Sequence, residues 1–149
     1  RSVLPAFTFD LPQPWEIDEP TARRSVGFIH IGLINPEEPS TRIELREQHV
    51  TAIEPEVALR AAYDRLAVDE LVDRTIADAF GSQTSRVGEF LVSQVVMFFD
   101  ELPFTSAEAP VQLELQLTAP PPAFERVLET FATMVETVRL SPKWHPGFE

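Results

Sequence analysis

Residues 111–118 carry the pattern that most restricts how this chain can fold. Apolar and polar side chains alternate along them: Val111, Gln112, Leu113, Glu114, Leu115, Gln116, Leu117, Thr118. This two-residue period predicts a β-strand with one apolar face and one polar face. Prolines at 120–122 end the strand, and the apolar side chains after them recur at helical spacing. The pattern therefore predicts a helix over 122–140 that packs on the apolar face of the strand.

Two patterns in the first third of the chain predict a hairpin. The run from Val26 to Ile34 is apolar at nearly every position, as in a strand covered on both faces. A Pro-rich turn at 35–39 ends it, and Ile43 and Leu45 then alternate with charged residues. We expect these two strands to pair antiparallel, because a short loop favours that topology.

Further strands are predicted at 6–11 and within 86–99. In the first, Phe7, Phe9 and Leu11 alternate with polar residues before two prolines close the segment. In the second, Gly88-Glu89 predicts a tight turn ahead of an apolar run.

A helix is predicted from Pro55, since proline at a first helical position beside acidic residues favours a helix start. Its apolar stripe, which includes Leu59 and Ala62, changes phase near Ala67. We expect a break there and a second helix over 68–79. One long helix covered on both sides remains the alternative.

The order of elements predicts an α+β fold, a mainly antiparallel β-sheet of about six strands with helices packed on one face of it. A chain of 149 residues can bury one core of its own. We expect a single domain over 1–140. Residues 141–149 have no period and are expected to form a surface tail.

The charge balance restricts the partners. Twelve Lys and Arg against 24 Asp and Glu give a net charge of -12, which disfavours nucleic acid and anionic membrane surfaces. There is no Cys, so disulfides, thiol nucleophiles and Cys-bound zinc are excluded. No apolar run approaches the roughly 18 residues of a transmembrane helix. We expect a cytoplasmic protein, or an envelope-associated one if an upstream signal was removed.

Sequence motifs for catalysis are absent: the chain has no phosphate loop, no Gly-x-Ser-x-Gly and no His-Glu-x-x-His. We therefore expect no enzymatic activity, no catalytic residue, no metal and no cofactor. The enzyme hypothesis that remains is a metal-assisted hydrolase built from His30, Glu47 and His49. The alternative is a partly buried His30 bonded to one neighbour and a solvent-facing His49.

The polar face of strand 111–118 is a candidate partner site. It includes Gln112, Glu114 and Gln116 and carries a single acid, whereas sheet faces in water are usually richer in Lys and Glu. We expect a protein partner to cover this face, and a second copy of the chain related by a two-fold axis is one candidate.

Aromatic residues extend this candidate site. Phe98, Phe99 and Phe104 flank or lie in the polar loop 100–110, and Trp144 lies in the tail, so they could anchor a partner. The alternative function is a carrier of a small hydrophobic or lipid-like ligand, whose cavity would be lined by Phe90, Met97, Phe98 and Phe131.

Two segments carry a family resemblance. The opening Phe7-Thr8-Phe9-Asp10-Leu11-Pro12-Gln13-Pro14-Trp15 and the closing strand, proline and helix pattern over 113–138 resemble the PsbP/DcrB-like superfamily, to which LpqN-type lipoproteins of actinobacteria and Eag chaperones are similar. The resemblance implies an antiparallel sheet with helices packed on it and usually no enzymatic activity. It also implies an adaptor, chaperone or envelope accessory role. We therefore expect a protein that holds an apolar segment of a partner polypeptide.

Overall fold

The computed structural model describes residues 7–25, 28–49, 55–66, 68–76, 80–99 and 111–140. The strands in these ranges are β1 (Phe7–Thr8), β2 (Glu16–Ser25), β3 (Phe28–Ile34), β4 (Arg42–His49), β5 (Glu70–Ile76), β6 (Phe80–Val87), β7 (Phe90–Phe99), β8 (Val111–Ala119) and β9 (Arg139–Leu140). The helices are α1 (Pro55–Asp64) and α2 (Pro121–Glu136).

Seven of the strands form one sheet in the order β2-β3-β4-β8-β7-β6-β5, and each pairs antiparallel with its neighbours. β1 and β9 form a separate two-stranded sheet. These pairings confirm the antiparallel α+β class, with seven strands in the main sheet where about six were expected.

One face of the sheet, the apolar face, carries the core. Its rows pair Leu33 with Ile43 and Leu117, and Ile31 with Leu45 and Leu115. Helix α2 covers this face with a single buried stripe: Ala123, Phe124, Val127, Phe131, Met134. The strand-to-helix prediction is confirmed, with α2 ending at Glu136 rather than at residue 140.

Helix α1 packs on the opposite face, which we call the polar face. Its Ala58 and Leu59 form a small apolar cluster with Val96 of β7, whose neighbour Val95 points into the core beneath α2. Successive residues of a strand point to opposite faces, so the two helices lie on opposite sides of the sheet. The expectation that both helices share one face is wrong. Within the described ranges, neither helix is long and apolar enough to cross a membrane.

Both predicted turns are confirmed. β3 and β4 pair antiparallel through the 35–39 turn, where Asn35 accepts hydrogen bonds from the backbone of Glu37 and Glu38. β6 and β7 meet at Gly88, whose φ of 60° favours glycine because it has no Cβ. The strand predicted at 6–11 is shorter, with only Phe7–Thr8 paired.

The second helix predicted over 68–79 is wrong, because residues 70–76 form β5 and pair with β6. Ile76 follows Leu71 by five residues and Val72 by four, so the three residues imitate a helical stripe, yet all three are exposed. β2 carries no apolar alternation and was not predicted. It is an edge strand with charged residues and Pro20, so burial imposes no pattern on it.

Replacing Phe131 with Ala tests the core beneath α2. Phe131 is 1% exposed, so Phe131→Ala should lower the free energy of unfolding by about 3–5 kcal/mol in urea titrations followed by circular dichroism. The exposed Glu129 on the same helix is the control, and Glu129→Ala should change stability by less than about 0.5 kcal/mol. Equal effects of the two substitutions would contradict this packing.

Candidate functional site

One row of directly opposed residues crosses the polar face through all seven strands of the main sheet. In sheet order its members are Asp18, Gly32, Glu44, Gln116, Gln94, Gln83, Arg74. We call this set the polar row. Directly opposite side chains of antiparallel strands lie close enough to interact, so the register places these groups in contact.

Hydrogen bonds join most of the polar row into one chain with a uniform direction. Arg74 Nε donates to Gln83 Oε1 at 2.9 Å, Gln83 Nε2 to Gln94 Oε1 at 2.8 Å, and Gln94 Nε2 to Gln116 Oε1 at 3.0 Å. Gln116 Nε2 then donates to Glu44 Oε2 at 3.2 Å. The chain therefore begins at a cation and ends at a carboxylate, which fixes the orientation of every amide between them.

The polar row also holds α1 on the sheet. Gln83 Nε2 donates to the Leu59 carbonyl at 2.8 Å, and Gln94 Nε2 donates to the Ala62 carbonyl at 3.2 Å. Just beyond the helix, Arg65 bonds the buried Glu114 carboxylate, which also accepts from Arg46 at 3.0 Å. Since the apolar cluster beneath α1 is small, these polar contacts carry much of its attachment.

At the other end of the row, Gly32 leaves space for a neighbouring side chain. The Arg42 guanidinium lies where a Cβ at position 32 would be, and its Nη1 donates to Asp18 Oδ2 at 2.9 Å. The Thr21 hydroxyl donates to the same oxygen at 2.8 Å. The hydrogen bond from Arg42, and then that from Thr21, hold the pKa of Asp18 below its ordinary value. His30 Nε2 completes this end by donating to Glu44 Oε1 at 2.8 Å.

β5 is the candidate partner-binding element. Among the described residues it lies at one edge of the sheet and pairs only with β6, so its other side presents backbone groups that no described strand pairs with. Its exposed apolar side chains are Leu71, Val72 and Ile76. This combination of an open edge and exposed apolar residues is suited to adding a strand from another polypeptide.

Side-chain contacts fix β5 in position. Arg74 lies over the Tyr63 ring of α1, 6.0 Å from its centroid, and Glu70 pairs with Arg86 of β6 at 2.7 Å. The chain just before the strand is held by Asp69, whose carboxylate accepts from the Gly88 amide at 2.7 Å. These contacts therefore hold β5 in place through groups of its own chain.

The opposite edge of the sheet, β2, is a poorer template. Its pairing with β3 breaks between Asp18 and Arg23, and Pro20 lies inside the break. Proline, charged residues and register breaks are common devices that protect edges against strand addition. β5 has one bulge, between Leu71 and Asp73, and no proline.

The structure buries the polar face that the sequence assigned to a partner. Gln112, Glu114 and Gln116 are 5%, 2% and 6% exposed. Gln116 bonds Gln94 and Glu44, and Glu114 bonds Arg46 and Arg65, so these two side chains are engaged within their own chain.

The side chains of the aromatic residues predicted to anchor a partner cannot be placed relative to the polar face. The side chains of Phe98 and Phe99, together with Phe104 and Trp144, lie outside the described residues.

The proposed hydrolytic site is not assembled. His30 lies opposite Arg46 in the β3–β4 register, so Glu47, the next residue of β4, points to the other face of the sheet. The side chain of His49 lies outside the described part of the chain. His30 instead bonds Glu44, in agreement with the structural alternative.

The residues predicted to line a ligand cavity likewise lie on opposite faces of the sheet. Phe131, on α2, is buried against the apolar face. Phe90 is exposed and lies on the polar face, because it precedes Leu91, which points to the apolar core. An open cleft of about 350 Å³ does lie beside α2, but it is lined by other residues: Asp10, Pro12, Glu129, Thr130, Thr133, Met134, Thr137.

No protein-family model matches this chain, and no curated protein matches it in sequence. Among solved structures, LpqN of Mycobacterium tuberculosis, involved in cell envelope biogenesis, is similar over 91% of this chain and 83% of that chain, with 15% identity and a TM-score of 0.55. Cyanobacterial PsbP (CyanoP) of Synechocystis sp. PCC 6803 is similar over 93% and 94%, with 11% identity and a TM-score of 0.60. The chain therefore has the PsbP-like and LpqN-like fold that the resemblance implied.

Replacing Gln94 tests the polar row. Gln94→Leu keeps a side chain of similar size but removes the donor to Gln116 Oε1 and to the Ala62 carbonyl in a fully buried site. We expect a loss of about 2–4 kcal/mol in the free energy of unfolding, measured in urea. The exposed Gln13 is the control, and Gln13→Leu should have almost no effect. A stable Gln94→Leu variant would show that the row does not hold the sheet.

The Arg42–Asp18 contact predicts a pH dependence. A lowered pKa in the folded state stabilises the fold above the ordinary carboxyl range, and this contribution is lost as the pH falls through the folded-state pKa. Arg42→Met should raise the pKa of Asp18 in carboxyl carbon NMR titrations. Gly32→Ala should do the same, because its Cβ displaces the guanidinium. An unchanged pKa in Arg42→Met would contradict the assigned cause.

Proposed function

We propose that this protein is a non-enzymatic adaptor or chaperone that holds an extended, apolar segment of a partner polypeptide along β5. The observation that carries the proposal is the edge itself. β5 offers unpaired backbone groups beside apolar side chains, of which Val72 is 57% exposed and Ile76 is 44% exposed. Backbone hydrogen bonds would supply affinity, and burial of the apolar side chains would add to it.

The polar row supports a non-enzymatic role. Its amides and carboxylates bond one another and the backbone of α1, so their hydrogen-bonding groups are used to stabilise the fold. The likeness to LpqN, a protein involved in cell envelope biogenesis, supports a role connected with the envelope.

Two equally exposed valines provide a matched experiment. Val72 on β5 and Val57 on α1 are both 57% exposed. A photo-crosslinking benzoylphenylalanine should be placed at each position in turn and irradiated in cells that contain the natural partner. The proposal predicts a discrete crosslinked product from position 72, none from position 57, and loss of the product when Ile76→Lys is added.

Absence of a product at position 72, or an equal product at position 57, would contradict the proposal. Circular dichroism of each variant should be unchanged, because the substituted side chains are exposed.

A further inference from the structure

β5 presents different chemistry on its two faces. Leu71 and Ile76 lie opposite Ser85 and Gly81, in rows of the polar face that flank α1. Asp73 and Thr75 lie opposite Thr84 and Ser82, on the other face of the sheet. A strand added along β5 therefore meets Leu71 and Ile76 on the α1 side, with Arg74 between them already bonded to Gln83, and it meets Asp73 and Thr75 on the other side.

The charged side chains of β5 differ in whether they have a partner within the chain. Arg74 is bonded to Gln83 and lies over Tyr63, and Glu70 is paired with Arg86. Among the described residues, no ion pair involves Asp73. The edge thus presents uncompensated negative charge within a chain whose net charge is -12.

We infer, on the basis of the proposed function, that the occupant of β5 is an extended segment in which apolar residues alternate with Lys or Arg. Its apolar side chains lie beside Leu71 and Ile76, and its cations lie beside Asp73. Cross-strand neighbours on one face determine pairing preference, and opposite charges there are favourable. Long-range attraction to the acidic chain also speeds the encounter.

A second copy of the chain is a poorer occupant. A two-fold axis perpendicular to the sheet keeps each residue on its own face, so it brings a second Asp73 to the face that carries the first. Each copy also contributes a net charge of -12, and Arg74 of each is already engaged. Charge complementarity therefore favours a basic partner.

Three synthetic nine-residue peptides test the inference against the full chain. One alternates Val with Lys, one alternates Val with Glu, and one has the Val and Lys residues in two separate blocks. Affinity is measured by fluorescence anisotropy at about 0.15 M salt, and the site is located from amide hydrogen-exchange protection of residues 71–76. We expect the alternating Val and Lys peptide to bind at least about tenfold more tightly than the other two and to protect β5.

A charge reversal separates local recognition from general attraction. Asp73→Lys should weaken binding of the Val and Lys peptide by about threefold and should strengthen binding of the Val and Glu peptide. Glu125→Lys, which changes an exposed acid of α2 by the same charge, is the control and should affect both peptides much less.

The outcomes distinguish the two proposals. Protection of β5 without a preference for Lys over Glu would overturn this inference and leave the proposed function standing. Failure of every peptide to protect β5 would overturn both. Concentration-dependent protection of β5 without peptide would identify a second copy as the occupant and would overturn the basic segment.

Discussion

Buried carboxamides must find hydrogen-bond partners, and Gln83, Gln94 and Gln116 lie side by side on the polar face, the first two in contact with α1. Each amide satisfies the next, and the series is closed by Arg74 at one end and Glu44 at the other. A register shift of one residue would move all of these groups to the face that carries the apolar core. The polar row therefore specifies the register of the sheet, and the position of α1 on the sheet depends on it.

The open edge depends on the same row. Arg74 is the first donor of the chain of hydrogen bonds and belongs to β5, so its contacts with Gln83 and Tyr63 fasten the edge strand to the sheet and to the helix. A preformed edge reduces the ordering cost that a partner strand must overcome. The interactions that keep the polar face closed therefore also hold β5 in place at the edge of the sheet.

The sequence predicts the parts of the fold in which burial imposes a period. β8 and α2 each have one buried side, and their patterns identify both elements and their contact. β5 escapes prediction because its exposed Leu71, Val72 and Ile76 are spaced as in a helix. Local periodicity cannot show that Gln94 bonds the Ala62 carbonyl of α1, because that contact joins residues far apart in the chain.

The central claim, that the amides of the polar row are bonded beneath α1, is tested most directly by hydrogen exchange of glutamine side-chain NH2 groups, followed by NMR. We predict that the NH2 protons of Gln83 and Gln94, each bonded to a neighbouring amide and to an α1 carbonyl, exchange far more slowly than those of the exposed Gln13. Exchange of all three at the same rate would contradict the account.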